Sequence, residues 1–192
     1  MSSVPVFEET PETERGRTLY RMLLAVHAGI RSELKSVQRL ASAVVDGSSV
    51  QEVNEELEAL RGNSTLWQFQ ISCLRYCGFV HSHHHAEDTD FFDELEATNP
   101  AVAPVVERLR AEHRAVSDYL DAVEAAARAL TDDDSLDARR AVADALVALE
   151  EHLHAHLEYE ERAVAATARR LPGQPFSNQV AHSDLPAKED QP

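Results

Sequence analysis

Apolar residues recur along this chain in steps of three and four, with polar residues between them, and strict alternation is never sustained. That period belongs to amphipathic helices rather than half-buried strands. The first such face runs Tyr20, Leu23, His27, Ile30, Leu34, Val37, Ala41, Val44. Thr10-Pro11 reads as its N-cap and first helical position, and Asp46-Gly47 as its end. Ser49 and Glu52 have capping-box spacing and open a short helix from about Val50 to Arg61. After the break at Gly62-Asn63-Ser64, a second long helix is predicted from Thr65 to about Ala97, closed by Asn99-Pro100. A third starts near Ala103-Pro104 and carries Val106, Leu109, His113, Val116, Leu120, Val123, Ala127 and Leu130 on one face. The acidic turn Thr131 to Ser135 leads into a fourth, from Leu136 to about Arg170, on the stripe Val142, Ala145, Leu149, His152, His156, Glu160.

Helices of this length joined by short links pack as antiparallel neighbours. The expected fold is therefore all-α, an up-down antiparallel four-helix bundle with a short extra helix between the first and second long ones. Residues 1–10 read as a flexible N-terminus, 11–171 as the bundle, and 172–192 as a Pro-rich tail, mobile or draped over the surface. The chain has 192 residues, six of them glycine, and is 43% hydrophobic, enough to bury one real core. Its net charge of −16 argues against nucleic acid and against anionic membrane as partners. With no basic, apolar leader and no membrane-spanning run, a cytoplasmic protein is expected. Cys73 and Cys77 lie four apart on one helical face and read as small buried residues.

The histidines change this picture. There are ten, and nine fall inside helical sequence. His27, one of His83 or His84, His113 and His156 occupy inward positions, one per long helix. A single inward histidine is ordinarily a hydrogen-bonded core residue, but four together must share something, because an unpaired buried polar group costs about 1–3 kcal/mol. Carboxylates stand one turn on: Glu87 after His83, Asp88 after His84, Glu160 after His156. Imidazole and carboxylate four apart share a helical face and suit iron, manganese or zinc rather than calcium. About seven ligands exceed a closed tetrahedral zinc site, so two metals bridged by carboxylates fit the number better. His152 reads as ligand or supporting partner, His81 stays open, and His85, His154 and His182 read as bystanders. Buried packing with a satisfied hydroxyl is the expectation for Tyr20 and Tyr76.

The segment His83-His84-His85-Ala86-Glu87-Asp88-Thr89-Asp90-Phe91-Phe92 resembles the H-x-x-x-E-E-x-x-L-F motif of the hemerythrin-like, or HHE cation-binding, domain family. His156-Leu157-Glu158-Tyr159-Glu160-Glu161 is similar to that family's C-terminal H-L-x-x-E-E segment. His27 and Ala111-Glu112-His113 match its lone histidines on the first and third helices. The resemblance covers about Leu19 to Ala168. It implies a four-helix bundle holding two irons joined by an oxo or hydroxo bridge, with manganese or zinc as lesser alternatives. Glu87 and Glu160 would bridge, and His27, His83, His113 and His156 would be terminal ligands. The family motif favours His83 with Glu87; the stripe through Cys77, Val80, Phe91 and Leu95 favours His84 with Asp88, and His84 is kept as an additional ligand.

Two departures stand out. Ser117 occupies the position four after His113, where oxygen-carrying relatives have a second histidine, and Asp93 replaces the proline usual after the first motif. Both argue against reversible oxygen carriage, and His84, His81 or His152 is a candidate substitute ligand. The expectation is a non-haem di-iron protein binding or reducing dioxygen, peroxide or nitric oxide, in sensing or in oxidative or nitrosative stress defence. The alternative is an iron-handling or iron-sensing bundle acting through a protein partner without turnover. A ferritin-like oxidase needs two E-x-x-H motifs on separate helices, and only Glu151 with His154 has that spacing.

Overall fold

The computed structural model describes residues 10–46, 65–130 and 132–173. The short helix expected at Val50 to Arg61 with its Ser49/Glu52 cap, the first nine residues, Thr131, and the tail from residue 174 with His182 lie outside the described residues. Within them the chain is all helix: α1 (Glu14–Asp46), α2 (Thr65–Ala86), a π turn (Glu87–Phe91), α3 (Phe92–Thr98), a 3-10 turn (Pro100–Val102), α4 (Ala103–Ala129) and α5 (Leu136–Ala168). α2, the π turn and α3 run on as one rod, so four long rods make the bundle. Neighbours meet in ring order, α1 with α2, α2 with α4, α4 with α5, and α5 with α1. Every neighbouring pair is antiparallel, and no strand occurs among the described residues.

The caps differ in part from expectation. α1 starts at Glu14, and it is Thr13 rather than Thr10 whose hydroxyl accepts from a helical amide, that of Gly16, at 2.8 Å. The Thr13 amide donates to the Arg169 carbonyl at 3.0 Å, tying the start of α1 to the end of α5. Asn99 caps the 3-10 turn by accepting from the Ala101 amide, and Ser135 caps α5 by accepting from that of Ala138.

The stripes on α1 and α4 are buried as read, from Tyr20 to Val44 and from Val106 to Leu130. On α5 the inward positions are Val142, Leu146, Leu149, Leu153, His156, Leu157, Glu160 and Val164, so Ala145 and His152 yield to Leu146 and Leu153. Burying a leucine is worth about 1.5–3 kcal/mol, which sets the rotation of the helix against a competing histidine. The apolar interior falls into two blocks. The larger holds Ile30, Leu34, Tyr76, Val80, Leu120 and Leu149, with Cys73 and Cys77 buried and free in it. The smaller holds Tyr20, Leu23, Phe92, Leu95, Leu109 and Val164. On α1, α4 and α5 the numbering jumps between blocks across His27, His113 and Glu160, which fill the layer between.

Candidate metal centre

Each rod contributes to that layer. α1 carries His27, α2 carries His83 and His84, the π turn carries Glu87, α4 carries His113, and α5 carries His156 and Glu160. All but His83, which is half-buried, are buried. Three overlapping groups place one ligand atom per residue within 4.8 Å of the others: His27, His83 and Glu87; Glu87, His113 and Glu160; and His84, His113 and His156. Glu87 and His113 each belong to two groups, so the seven predicted site residues form one continuous cluster. His27 Nε2 lies 3.1 Å from His83 Nε2, 3.7 Å from Glu87 Oε1 and 3.5 Å from Glu160 Oε2. His83 Nε2 stands 3.2 Å from Glu87 Oε1, and His113 Nε2 3.6 Å from Glu87 Oε2. His84 stacks on His113 with ring centroids 4.1 Å apart and meets His156 edge-on.

The π turn accounts for the disagreement over register. An α-helical stripe from Val80 continues through His84 and then Glu87, and the next buried residue is Phe92, five further on, followed by Leu95. The π turn absorbs one extra residue. A reading that assumes an unbroken 3.6-residue period from Val80 to Leu95 therefore slips by one and selects Phe91 and Asp88. In the structure His83 and His84 both join the cluster, Glu87 is the inward carboxylate, and Asp88 points elsewhere.

Asp88 stands behind the cluster. His113 Nδ1 lies 2.9 Å from Asp88 Oδ1, His156 Nδ1 3.2 Å from Glu112 Oε2, and His27 Nδ1 3.0 Å from Glu161 Oε1. In each pair Nδ1–H donates to the carboxylate, which leaves the Nε2 lone pair facing inward. Arginines back two of them: Arg31 donates to Glu161 at 2.7 Å, and Arg108 to Glu112 at 2.7 Å. Alone, the doublet Glu160-Glu161 looks like solvated helix charges, which is how Glu161 escapes notice in the sequence, whereas Asp88 was read there as a possible inward ligand. The signal was adjacency: each one directly neighbours a cluster residue.

The inward atoms are strained electrostatically. Among the described residues, His84 Nε2, His113 Nε2, His156 Nε2 and both carboxylate oxygens of Glu87 and of Glu160 are buried without a hydrogen-bond partner. Burial holds the imidazoles neutral, pulling His27 down to about 4 and His83 to about 3, and lowers His84, His113 and His156 as well. Burial, with the charge of nearby carboxylates, raises Glu87 and Glu160. Burial opposes ionisation of Glu161 too, but hydrogen bonds from Arg31 and His27 hold it below its ordinary value. Neutral imidazole nitrogens and carboxylate oxygens converging in one buried layer, many of them without a hydrogen-bond partner, are a donor set that fits cations.

The other singled-out residues lie apart. His152 is exposed, stacked on Tyr119 and accepting from its hydroxyl at 2.7 Å, so it is not in the cluster. His81 faces Ser117 Oγ at 3.4 Å and Asp121 at 3.5 Å. Of the two described histidines read as bystanders, His85 is exposed and His154 is half-buried, outside the cluster. Tyr20 donates to the Glu161 carbonyl at 2.9 Å, as expected, but the buried Tyr76 hydroxyl has no hydrogen-bond partner among the described residues.

Two clefts reach the cluster from different sides. One, of about 360 Å³, descends between α1 and the π turn to His83 and Glu87. The other, of about 340 Å³, lies between α4 and α5 and ends at Glu112 and His156.

A buried layer of imidazoles and carboxylates drawn from all four rods makes this a cation-binding helical bundle. The chain matches the family model of the hemerythrin HHE cation binding domain over residues 18–168 and belongs to that family. No curated protein and no solved structure matches it. No helix of the described residues is long and apolar enough to cross a membrane.

Proposed function

We propose that this chain is a cytoplasmic non-haem di-iron protein that binds or reduces dioxygen, peroxide or nitric oxide in sensing or stress defence. The observation carrying this reading is the convergence of two histidine groups on the carboxylates between them, with the Nε2 atoms of His84, His113 and His156 and the oxygens of Glu87 and Glu160 buried and unpartnered. His27 and His83 would hold one iron and His84, His113 and His156 the other, with Glu87 and Glu160 between them. Iron bound there supplies one-electron redox chemistry and a position for a small ligand, and manganese or zinc would occupy the same donors with less purpose. His84 takes the role that a histidine four after His113 has in the oxygen carriers, where this chain has Ser117.

The protein's own groups do the rest. Asp88, Glu112 and Glu161 keep the proton of His113, His156 and His27, respectively, on Nδ1. The apolar blocks on either side limit water. Glu151 is exposed and His154 is outside the cluster, which speaks against the ferritin-like alternative.

Iron analysis after iron-replete expression tests the reading, and about two irons per chain are expected. A pure, folded protein that takes up no iron and gives no iron-dependent visible absorption would sink it. Stopped-flow mixing of the reduced, iron-loaded protein with peroxide then separates turnover from iron sensing through a partner, because a sensor need not consume peroxide.

A further inference from the structure

The cleft over His83 and Glu87 is far larger than a diatomic ligand needs. A water's share of liquid volume is about 30 Å³, whereas this cleft holds about 360 Å³. That lies within the range of sites for organic molecules, roughly 300–1,000 Å³. Its walls are Leu19, Met22, Leu23, Val26 and Phe91, and its polar floor is His83 and Glu87. Glu87 is nearly sealed, and both its oxygens are unpartnered.

The rim decides the charge of an occupant. Arg15 is the lining cation, and its guanidinium is already held by both Glu94 oxygens and the Pro172 carbonyl. Asp90 adds an exposed negative charge to the same rim. Among the described lining residues no cation is left to pair with an anionic headgroup, and the protein's overall charge of −16 repels one. The cleft on the other side is lined by Arg108, Glu112, Glu151 and His152 together with Ala115, Val116 and Ala155.

From this we infer that the α1/π-turn cleft binds a neutral organic molecule with an apolar body and one small polar end, of the class of a medium-chain alcohol or hydroperoxide, with the polar end against His83 and Glu87. The inference rests on the proposed function for what happens at the metal, but binding itself is read in the metal-free chain. Failure to bind is therefore distinguishable from failure to take up iron.

The test uses the full-length, metal-free protein, with 1-hexanol and hexanoate as probes and methyl NMR shifts of Leu19, Met22, Leu23 and Val26 as the readout. Saturable shifts with 1-hexanol are expected, with hexanoate at least about tenfold weaker. Met22 is 58% exposed, so Met22→Trp should fold normally while filling the mouth. It should weaken 1-hexanol binding by about tenfold or more, with an unchanged circular dichroism spectrum. Glu94→Gln, which frees Arg15, should bring hexanoate closer to 1-hexanol. No saturable shift up to the solubility of the alcohol, equal binding by Met22→Trp, or a preference of the unmutated protein for hexanoate would overturn the inference.

Discussion

Asp88, Glu112 and Glu161 each sit next in sequence to a cluster residue, yet each serves a histidine on a different rod. Asp88 follows Glu87 and holds His113; Glu161 follows Glu160 and holds His27; Glu112 precedes His113 and holds His156. One helical step turns a side chain by about 100°, enough to move it from the centre of the bundle to the seam with the neighbouring rod. The inward histidines were legible because each replaces a leucine in a periodic stripe; their outer partners were not, because a seam carboxylate has the same sequence pattern as a solvated one. Glu112→Gln and Glu161→Gln should each weaken metal binding by roughly 10–100-fold while leaving the fold intact. Competition with a chelator of known affinity measures this. Arg39→Gln, on the outer face of α1, is the control and should leave affinity unchanged.

At the scale of elements, four long helices were readable from period and breakers, whereas the π turn was not, since nothing in Glu87–Phe91 marks a widened turn. Its logic is that of one inserted residue. Without Thr89, which is exposed and bonds only back to the His85 carbonyl at 2.9 Å, Glu87 and Phe92 would be four apart and the stripe would continue as plain α-helix. Deleting Thr89 should therefore leave helicity and folding intact. Asp88 would lose its approach to His113, and metal affinity should fall about tenfold or more. Loss of the fold itself would contradict this account of the turn. α1 offers a second contrast through two glycines. A Cβ on Gly16 would collide with the carbonyls of Arg169 and Ala168, whereas one on Gly29 would meet nothing. Gly16→Ala should cost about 1–3 kcal/mol by forcing α1 away from α5. Gly29→Ala should add about 0.4–1 kcal/mol. Urea unfolding of both variants measures the difference.

For the whole molecule, the polar layer between two apolar blocks makes stability depend on metal and on pH. In the metal-free protein, His27, His83, His84, His113 and His156 all have lowered pKa values. Below about pH 6.5 the unfolded chain therefore binds more protons on these imidazoles than the folded one, and stability drops as pH falls. Glu87 and Glu160 are raised, so above about pH 4.3 the folded state holds protons that the unfolded state has released. Their contribution makes stability fall as pH rises. Between these pH values five imidazoles oppose two carboxyls and the net slope is upward; above about pH 6.5 only the carboxyl slope remains. Metal-free protein should accordingly be most stable near pH 6.5 and weaken on the alkaline side. Cations held by Glu87 and Glu160 would abolish the second slope, because those carboxylates would then be ionised in the folded state too. The stability gained on metal loading should then widen from pH 6.5 to 8.5, and reach about 4 kcal/mol when free metal is about a thousand times its dissociation constant. Urea midpoints of chelator-treated and metal-loaded protein across this range decide it. Parallel pH curves for the two forms would mean that the buried carboxyl pair is not what the metal engages.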